Sequence, residues 1–175
     1  MGIEENQTET GAVSELEERA ACLVNPASGI PNDYLNHFNE VLLLIENLPT
    51  LLPEMLDELL EWRPVTYREY FAKSLLPGSA RALQIYEGLD DGFRREFESI
   101  IDGVNAMATA SIDVISAHRS PDGELDPSRV SDFCENASCA IRSALNRASD
   151  LVNNGHEKAA ETPQGMADRL IPCVA

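Results

Sequence analysis

Basic side chains are scarce: 13 Lys and Arg stand against 30 Asp and Glu in 175 residues, a formal net charge of −17 at pH 7. Like-charge repulsion of that size argues against wrapping nucleic acid or lying on an anionic membrane, so neither partner is expected. That leaves basic proteins, metal cations, and sites that normally hold nucleic acid and that an acidic mimic could occupy. Cysteine is also sparse. Cys22, Cys134, Cys139 and Cys173 form no Cys-x-x-Cys pair and fall far short of the density of a small secreted scaffold, which points to reduced thiols and a cytoplasmic location. Cys134 and Cys139 stand about 140° apart around an ideal helix, which disfavours an intrahelical disulfide. Long apolar runs are missing as well: Val41–Ile45 is the densest, and Asp113 interrupts the later candidate, so no stretch is expected to span a bilayer. The first six residues lack the basic-then-apolar order of a secretory signal, and Cys173 stands third from the end, outside a prenylation box. No segment alternates apolar and polar residues with period two, which removes half-buried strands.

Helical periodicity fills that space. Apolar residues make up 43% and charged residues 25%, ordinary values for a folded domain. Residues 1–12 are polar and expected to be disordered, residues 13–155 to form one helical-bundle domain, and residues 156–175 to be a flexible tail. A capping box, Ser14-x-x-Glu17, opens a short helix that fades near Leu23. Residues 25–31 hold two prolines and a glycine and read as a loop. Asn32 or Asp33 then caps a helix whose stripe is Leu35, Phe38, Leu42 and Ile45, widened by Tyr34, Val41, Leu44 and Leu48 and ended by Pro49. Leu52, Met55, Leu56 and Leu59 form the stripe of the next helix, with Pro53 in its first turn. Its opposite face is acidic.

A second capping box, Thr66-x-x-Glu69, opens a short helix carrying Tyr67, Tyr70 and Phe71, which Pro77-Gly78 closes, and Ser79 starts another running through Leu83 and Tyr86. Two long helices follow. Asp90 caps the first, with Phe93, Phe97, Ile100, Val104 and Met107 along one side and the small residues Gly103, Ala106, Ala108 and Ala110 nearby. After a turn at residues 120–123, Asp126 and Pro127 start the second, with Val130, Phe133, Ala137, Ile141, Ala144, Ala148 and Leu151 at near-heptad spacing and Gly155 at its end. The fold class expected is all-α: an irregular helical bundle with two long C-terminal antiparallel helices and several shorter N-terminal and central ones. The long helices also offer a surface for forming a homo-oligomer.

Chemistry is harder to find. The Glu-x-x-His spacing of a carboxylate-bridged metal pair is absent, and only His37-x-x-Glu40, with Asp33 a turn earlier, resembles a ligand pair. No metal or cofactor is expected. A histidine phosphotransfer bundle would expose one imidazole with room beside it for a phosphoryl group, but Phe38-Asn-Glu-Val follows His37 and Glu40 would repel that group. Phosphate loops, nucleophile elbows and zinc spacings are missing. These negatives favour a non-catalytic chain.

Charge segmentation is the positive signal. Residues 1–62 hold thirteen acids against Arg19 alone, whereas residues 63–81 hold Arg63, Arg68, Lys73 and Arg81 against Glu69 alone. The basic island adjoins Trp62 and contains Tyr67 and Tyr70, so Trp62, Arg63, Tyr67, Arg68, Tyr70 and Lys73 are candidate partner-binding residues. The competing reading has the aromatics plug the core while the cations pair with the preceding acidic helix. Glu54, Asp57, Glu58 and Glu61 form a candidate acidic face for a basic protein partner. The function expected is regulatory or adaptor-like protein binding. Its rival is an enzyme or small-ligand binder with a pocket between helices near His37, Tyr67 and Tyr70.

Overall fold

A computed structural model describes residues 24–50 and 54–158. The helix expected from Ser14, the disordered N-terminus, Leu52, Pro53 and residues 159–175 of the expected tail lie outside the described residues. The fold is all-α, an irregular bundle of short helices around two long ones. In order come α1 (Asp33–Asn47), α2 (Glu54–Glu61), α3 (Tyr67–Lys73), α4 (Ser79–Glu87), α5 (Asp91–Ala117), a 3-10 turn (Pro127–Arg129) and α6 (Ser131–Lys158). Among the described residues there is no strand.

Helix starts follow local chemistry. The Asp90 carboxylate accepts from the Gly92 and Phe93 amides, satisfying two donors that the first turn of α5 leaves free. At α3 the capping box is complete: the Thr66 hydroxyl accepts from the Glu69 amide, and the Glu69 carboxylate accepts from the Thr66 amide at 3.0 Å and its hydroxyl at 2.8 Å. Those Thr66 bonds, backbone first and side chain second, hold Glu69 below its ordinary value of 4.5. A carboxylate lowered on folding adds stability above its unfolded value, and loses it as pH falls through the folded one. NMR titration of the Glu69 carboxyl should therefore show a midpoint below 4.5. Thr66→Ala keeps the backbone amide and removes only the hydroxyl, so it should raise the midpoint part of the way toward the ordinary value; an unchanged midpoint would refute the side-chain half of the box.

Two starts differ from expectation. Asn32 occupies the N-cap of α1 without a capping bond, because its amide donates to Asn153 Oδ1 at 3.1 Å instead. Asp126 caps the 3-10 turn, accepting from the Ser128 amide, and α6 begins only at Ser131.

α6 packs most extensively on α5 and then on α1. Direction follows from particular contacts. Asn32 at the start of α1 meets Asn153 near the end of α6, while Glu46 at the end of α1 pairs with Arg142 farther back along α6. α1 and α6 are thus antiparallel. Tyr34 and Phe97, both in first turns or close to them, have ring centroids 6.2 Å apart, so α1 runs alongside α5 and α5 opposes α6.

The buried seam of α5 is Phe93, Phe97, Ile101, Val104, Ala108, Ser111, Ile112 and Ile115. Ile100 and Met107 are only partly buried, so the seam lies one residue farther along than the periodicity suggested. By length and composition α5 is apolar enough to cross a membrane; in this bundle that apolar surface supplies one wall of the core. On α6 the fully enclosed side chains are Cys134, Ile141, Ala148 and Val152, with Leu145 and Leu151 close to that, whereas Phe133, Ala137 and Ala144 flank them. Gly155 does not end α6 but kinks it, with φ 69° and ψ −177°.

Candidate functional site

Trp62 to Tyr70 is sewn to the first half of α1 by polar groups on aromatic rings. Tyr34 donates its hydroxyl to the Val65 carbonyl at 2.7 Å, Tyr70 to the Asp33 carbonyl at 3.0 Å, and the Trp62 indole to the His37 carbonyl at 3.2 Å. His37 closes the set. Its Nε2 lies 3.0 Å from the Arg63 carbonyl, which can only accept, so that nitrogen carries the proton and Nδ1 is left toward Glu40 at 3.9 Å. The imidazole also stacks on Trp62, with centroids 5.0 Å apart and planes at 18°. A ring held on both sides in this way has little freedom to accept a phosphoryl group. Among the described residues no cluster of three or more His, Cys, Asp or Glu side chains gathers as a metal site.

The predicted partner-binding residues therefore divide. Trp62 and Tyr67 are core side chains, 6% and 5% exposed, because each buries its ring and finds a polar or aromatic neighbour on α1. Tyr70 is half-buried, while Arg63, Arg68 and Lys73 are exposed. Among the described residues Arg63, Arg68 and Lys73 form no ion pair with the acids of α2. Arg63 donates to the Leu60 and Trp62 carbonyls at 2.6 and 2.7 Å, satisfying acceptors that the end of α2 leaves free. Arg68 reaches forward to Glu87 of α4 at 3.4 Å. That pair is exposed on both sides and adds about 0–1 kcal/mol.

Among the described residues nothing compensates the described part of the acidic face. Asp57, Glu58 and Glu61 are exposed, and among the described residues none has an ion-pair partner. Of Glu54, only the backbone is described. Beside this helix, Leu60, Trp62, Arg63 and Pro64 meet Thr109, Ile112, Asp113 and Ser116 of α5 in an open groove of about 380 Å³. Its floor is apolar and its rim carries one charge of each sign.

A second cavity, of about 280 Å³, opens between α1, α3, α4 and α5. Tyr34, Tyr67, Tyr86 and Phe97 are its buried wall. Tyr67 and Tyr86 stack with centroids 3.9 Å apart, and Tyr34 meets Tyr67 edge-on at 5.2 Å. Burial, helped at Tyr34 by the charge of Asp102 and at Tyr86 by a hydrogen bond to Glu98, pushes all three phenols well above the usual tyrosine range. They remain neutral donors. Tyr86 donates to Glu98 at 2.8 Å. The Tyr67 hydroxyl and Asn105 Oδ1, by contrast, are buried with no hydrogen-bond partner among the described residues.

The sequence had suggested a pocket near His37, Tyr67 and Tyr70. Only Tyr67 lines this one; His37 and Tyr70 turn their polar atoms to backbone carbonyls instead. Tyr34, Tyr86, Glu98, Asp102 and Asn105 were not singled out as site residues. A partial signal was present, since Glu98, Asp102 and Asn105 recur at four- and three-residue spacing and so share one face of α5.

Cysteine usage needs correction. Cys134 is a free, buried thiol that burial pushes up to about 11, too high for a reactive thiolate at neutral pH. Cys139 is disulfide-bonded, and its partner lies outside the described residues. Spacing within one helix disfavours a 134–139 bridge but is silent about pairing between distant segments, so the expectation of reduced thiols does not hold at Cys139. Comparison of the chain with protein-family models, with curated proteins and with solved structures finds no match.

Proposed function

We propose that the chain is a non-catalytic protein-interaction module that captures a basic partner through α2 and the adjoining groove. The observation that carries this reading is the row Asp57, Glu58 and Glu61, exposed on one short helix with no ion-pair partner among the described residues. In a chain of net charge −17 such a row attracts cationic surfaces, raises the encounter rate and sets orientation more than it adds affinity. The groove supplies the apolar component. Leu60, Trp62 and Ile112 can receive an aliphatic or aromatic side chain, while Arg63 and Asp113 at its rim define the register.

The test uses the full chain as bait, with partners identified by mass spectrometry and their binding then remeasured with purified components. The combined variant Asp57→Lys, Glu58→Lys, Glu61→Lys should lose capture while retaining its far-ultraviolet helix signal, since all three side chains are exposed. Association of the parent should weaken steeply as salt screens the pair beyond roughly 10 Å at 0.1 M. Salt-insensitive association, or capture by the triple variant at parental strength, would reject α2 as the contact.

A further inference from the structure

The tyrosine-walled cavity carries an inference that does not depend on the α2 reading. A buried polar atom without a partner costs free energy that folding has to absorb, and native proteins keep few such atoms. This cavity has two. The Tyr67 hydroxyl sits on a side chain only 5% exposed, and Asn105 Oδ1 is its counterpart on α5. Both side chains line the same space. A ligand that supplies hydrogen bonds to them would relieve both at once.

The remaining groups define what that ligand is. Asn105 offers an acceptor, and Glu98 and Asp102 add two carboxylates from the same face of α5. Among the described residues, Asp102 has no ion pair or hydrogen bond. Among the described residues that line it, Arg68 is the cation, and it is engaged by Glu87. The wall is therefore rich in acceptors and negative in sign. Its aromatic rings act in the same direction, because their π faces attract cations. Size sets a further limit: about 280 Å³ lies just under the usual range for drug-sized ligands. We propose that this cavity binds a compact organic cation, an ammonium or guanidinium group on a short stem, whose N–H groups donate to Asn105 Oδ1, Asp102, Glu98 and the Tyr67 hydroxyl oxygen, because such a cation carries donors only. Such a group can arrive as a free small molecule or as the side chain of an Arg or Lys in a peptide.

Calorimetric titration of the full chain tests this with phenethylamine and agmatine as cations, 2-phenylethanol as the neutral counterpart, and the blocked tripeptide Gly-Arg-Gly as the tethered form. At least one cation should bind with one-to-one stoichiometry, and the neutral alcohol at least roughly tenfold more weakly, as loss of a charge-assisted hydrogen bond implies. Asp102→Asn and Asn105→Leu should each weaken the cation by a similar factor, with Asp132→Asn, an exposed acid outside the cavity, as the unaffected control. Tyr67→Phe removes an unsatisfied hydroxyl, so its unfolding midpoint should not fall while its affinity does. Tighter binding of the free cation assigns the site to a small molecule, and tighter binding of the tripeptide assigns it to a side chain; either outcome supports the site. Absence of binding by every cation, equal binding of the alcohol, or variants that bind like the parent would overturn it.

Discussion

Phe97→Ala should destabilise the chain by about 3–5 kcal/mol, the cost of removing a large buried aromatic from a core that cannot collapse around the loss. Phe97 is 0% exposed, and its ring lies 6.2 to 6.4 Å from those of Tyr34, Tyr67 and Tyr86. It also lines the cavity, so truncation would enlarge an existing void rather than create a small one. Against the roughly 5–15 kcal/mol that typical domains hold, that loss is a large share of the whole. Phe97→Leu keeps most of the volume and should cost less than half as much. Urea unfolding followed by circular dichroism measures both. A change under about 1 kcal/mol for the alanine variant would mean that Phe97 does not join α5 to the tyrosine cluster.

Two glycines should respond to alanine with opposite signs. Gly155 holds φ +69°, and a Cβ there would stand 3.0 Å from the carbonyl oxygen of Ala27, a backbone atom that cannot swing aside. Strain in that sparsely populated region costs about 1–3 kcal/mol, and the contact adds to it, so Gly155→Ala should destabilise by at least that range. The damage has a specific place. The end of α6 meets the loop after Val24 and the start of α1 through Asn153, whose Oδ1 accepts from both Asn25 and Asn32 at 3.1 Å. Gly103, by contrast, is exposed in the middle of α5 with nothing within 4 Å of an added Cβ. Gly103→Ala should stabilise by roughly 0.5–1 kcal/mol by restricting the unfolded chain and improving helix propensity. A midpoint for Gly155→Ala that does not fall would contradict the kink at Gly155, and one for Gly103→Ala that falls would contradict the open space at Gly103.

The two binding regions draw on different physics and answer to different measurements. The α2 face relies on long-range charge, so salt reports on it. The cavity relies on short-range hydrogen bonds to the buried Tyr67 and Asn105 oxygens and on aromatic walls, so a neutral counterpart of the same shape reports on it. Charge reversal on α2 should leave cation uptake by the cavity in place, and Asn105→Leu should leave the α2 contact in place. Loss of both activities in one variant would point to misfolding instead.

Much of the helical framework was legible in residue order because its causes are local. The box at Thr66 and Glu69, the cap at Asp90 and the stripe of Tyr34, Leu35, Phe38, Val41, Leu42 and Ile45 each depend on neighbours within a turn or two. Ile101 replaces Ile100 in the seam of α5, because the angle at which one helix meets another decides which side of a broad apolar stripe is buried. Asp126 starts a 3-10 turn rather than α6, and Gly155 kinks α6 rather than ending it.

By itself, then, the order of residues determined that the chain is helical, where most helices begin, and that its charge is negative with a basic, aromatic island after Trp62. Only tertiary structure decided what that island does. It turned Trp62 and Tyr67 inward onto α1, sent Arg63 to the end of α2 and Arg68 to Glu87, and left Asp57, Glu58 and Glu61 without ion-pair partners among the described residues. It also gathered Tyr34, Tyr67, Tyr86 and Asn105 around one cavity. These residues come from four helices separated by dozens of positions, and their meeting is set by interhelical packing, which no local periodicity encodes.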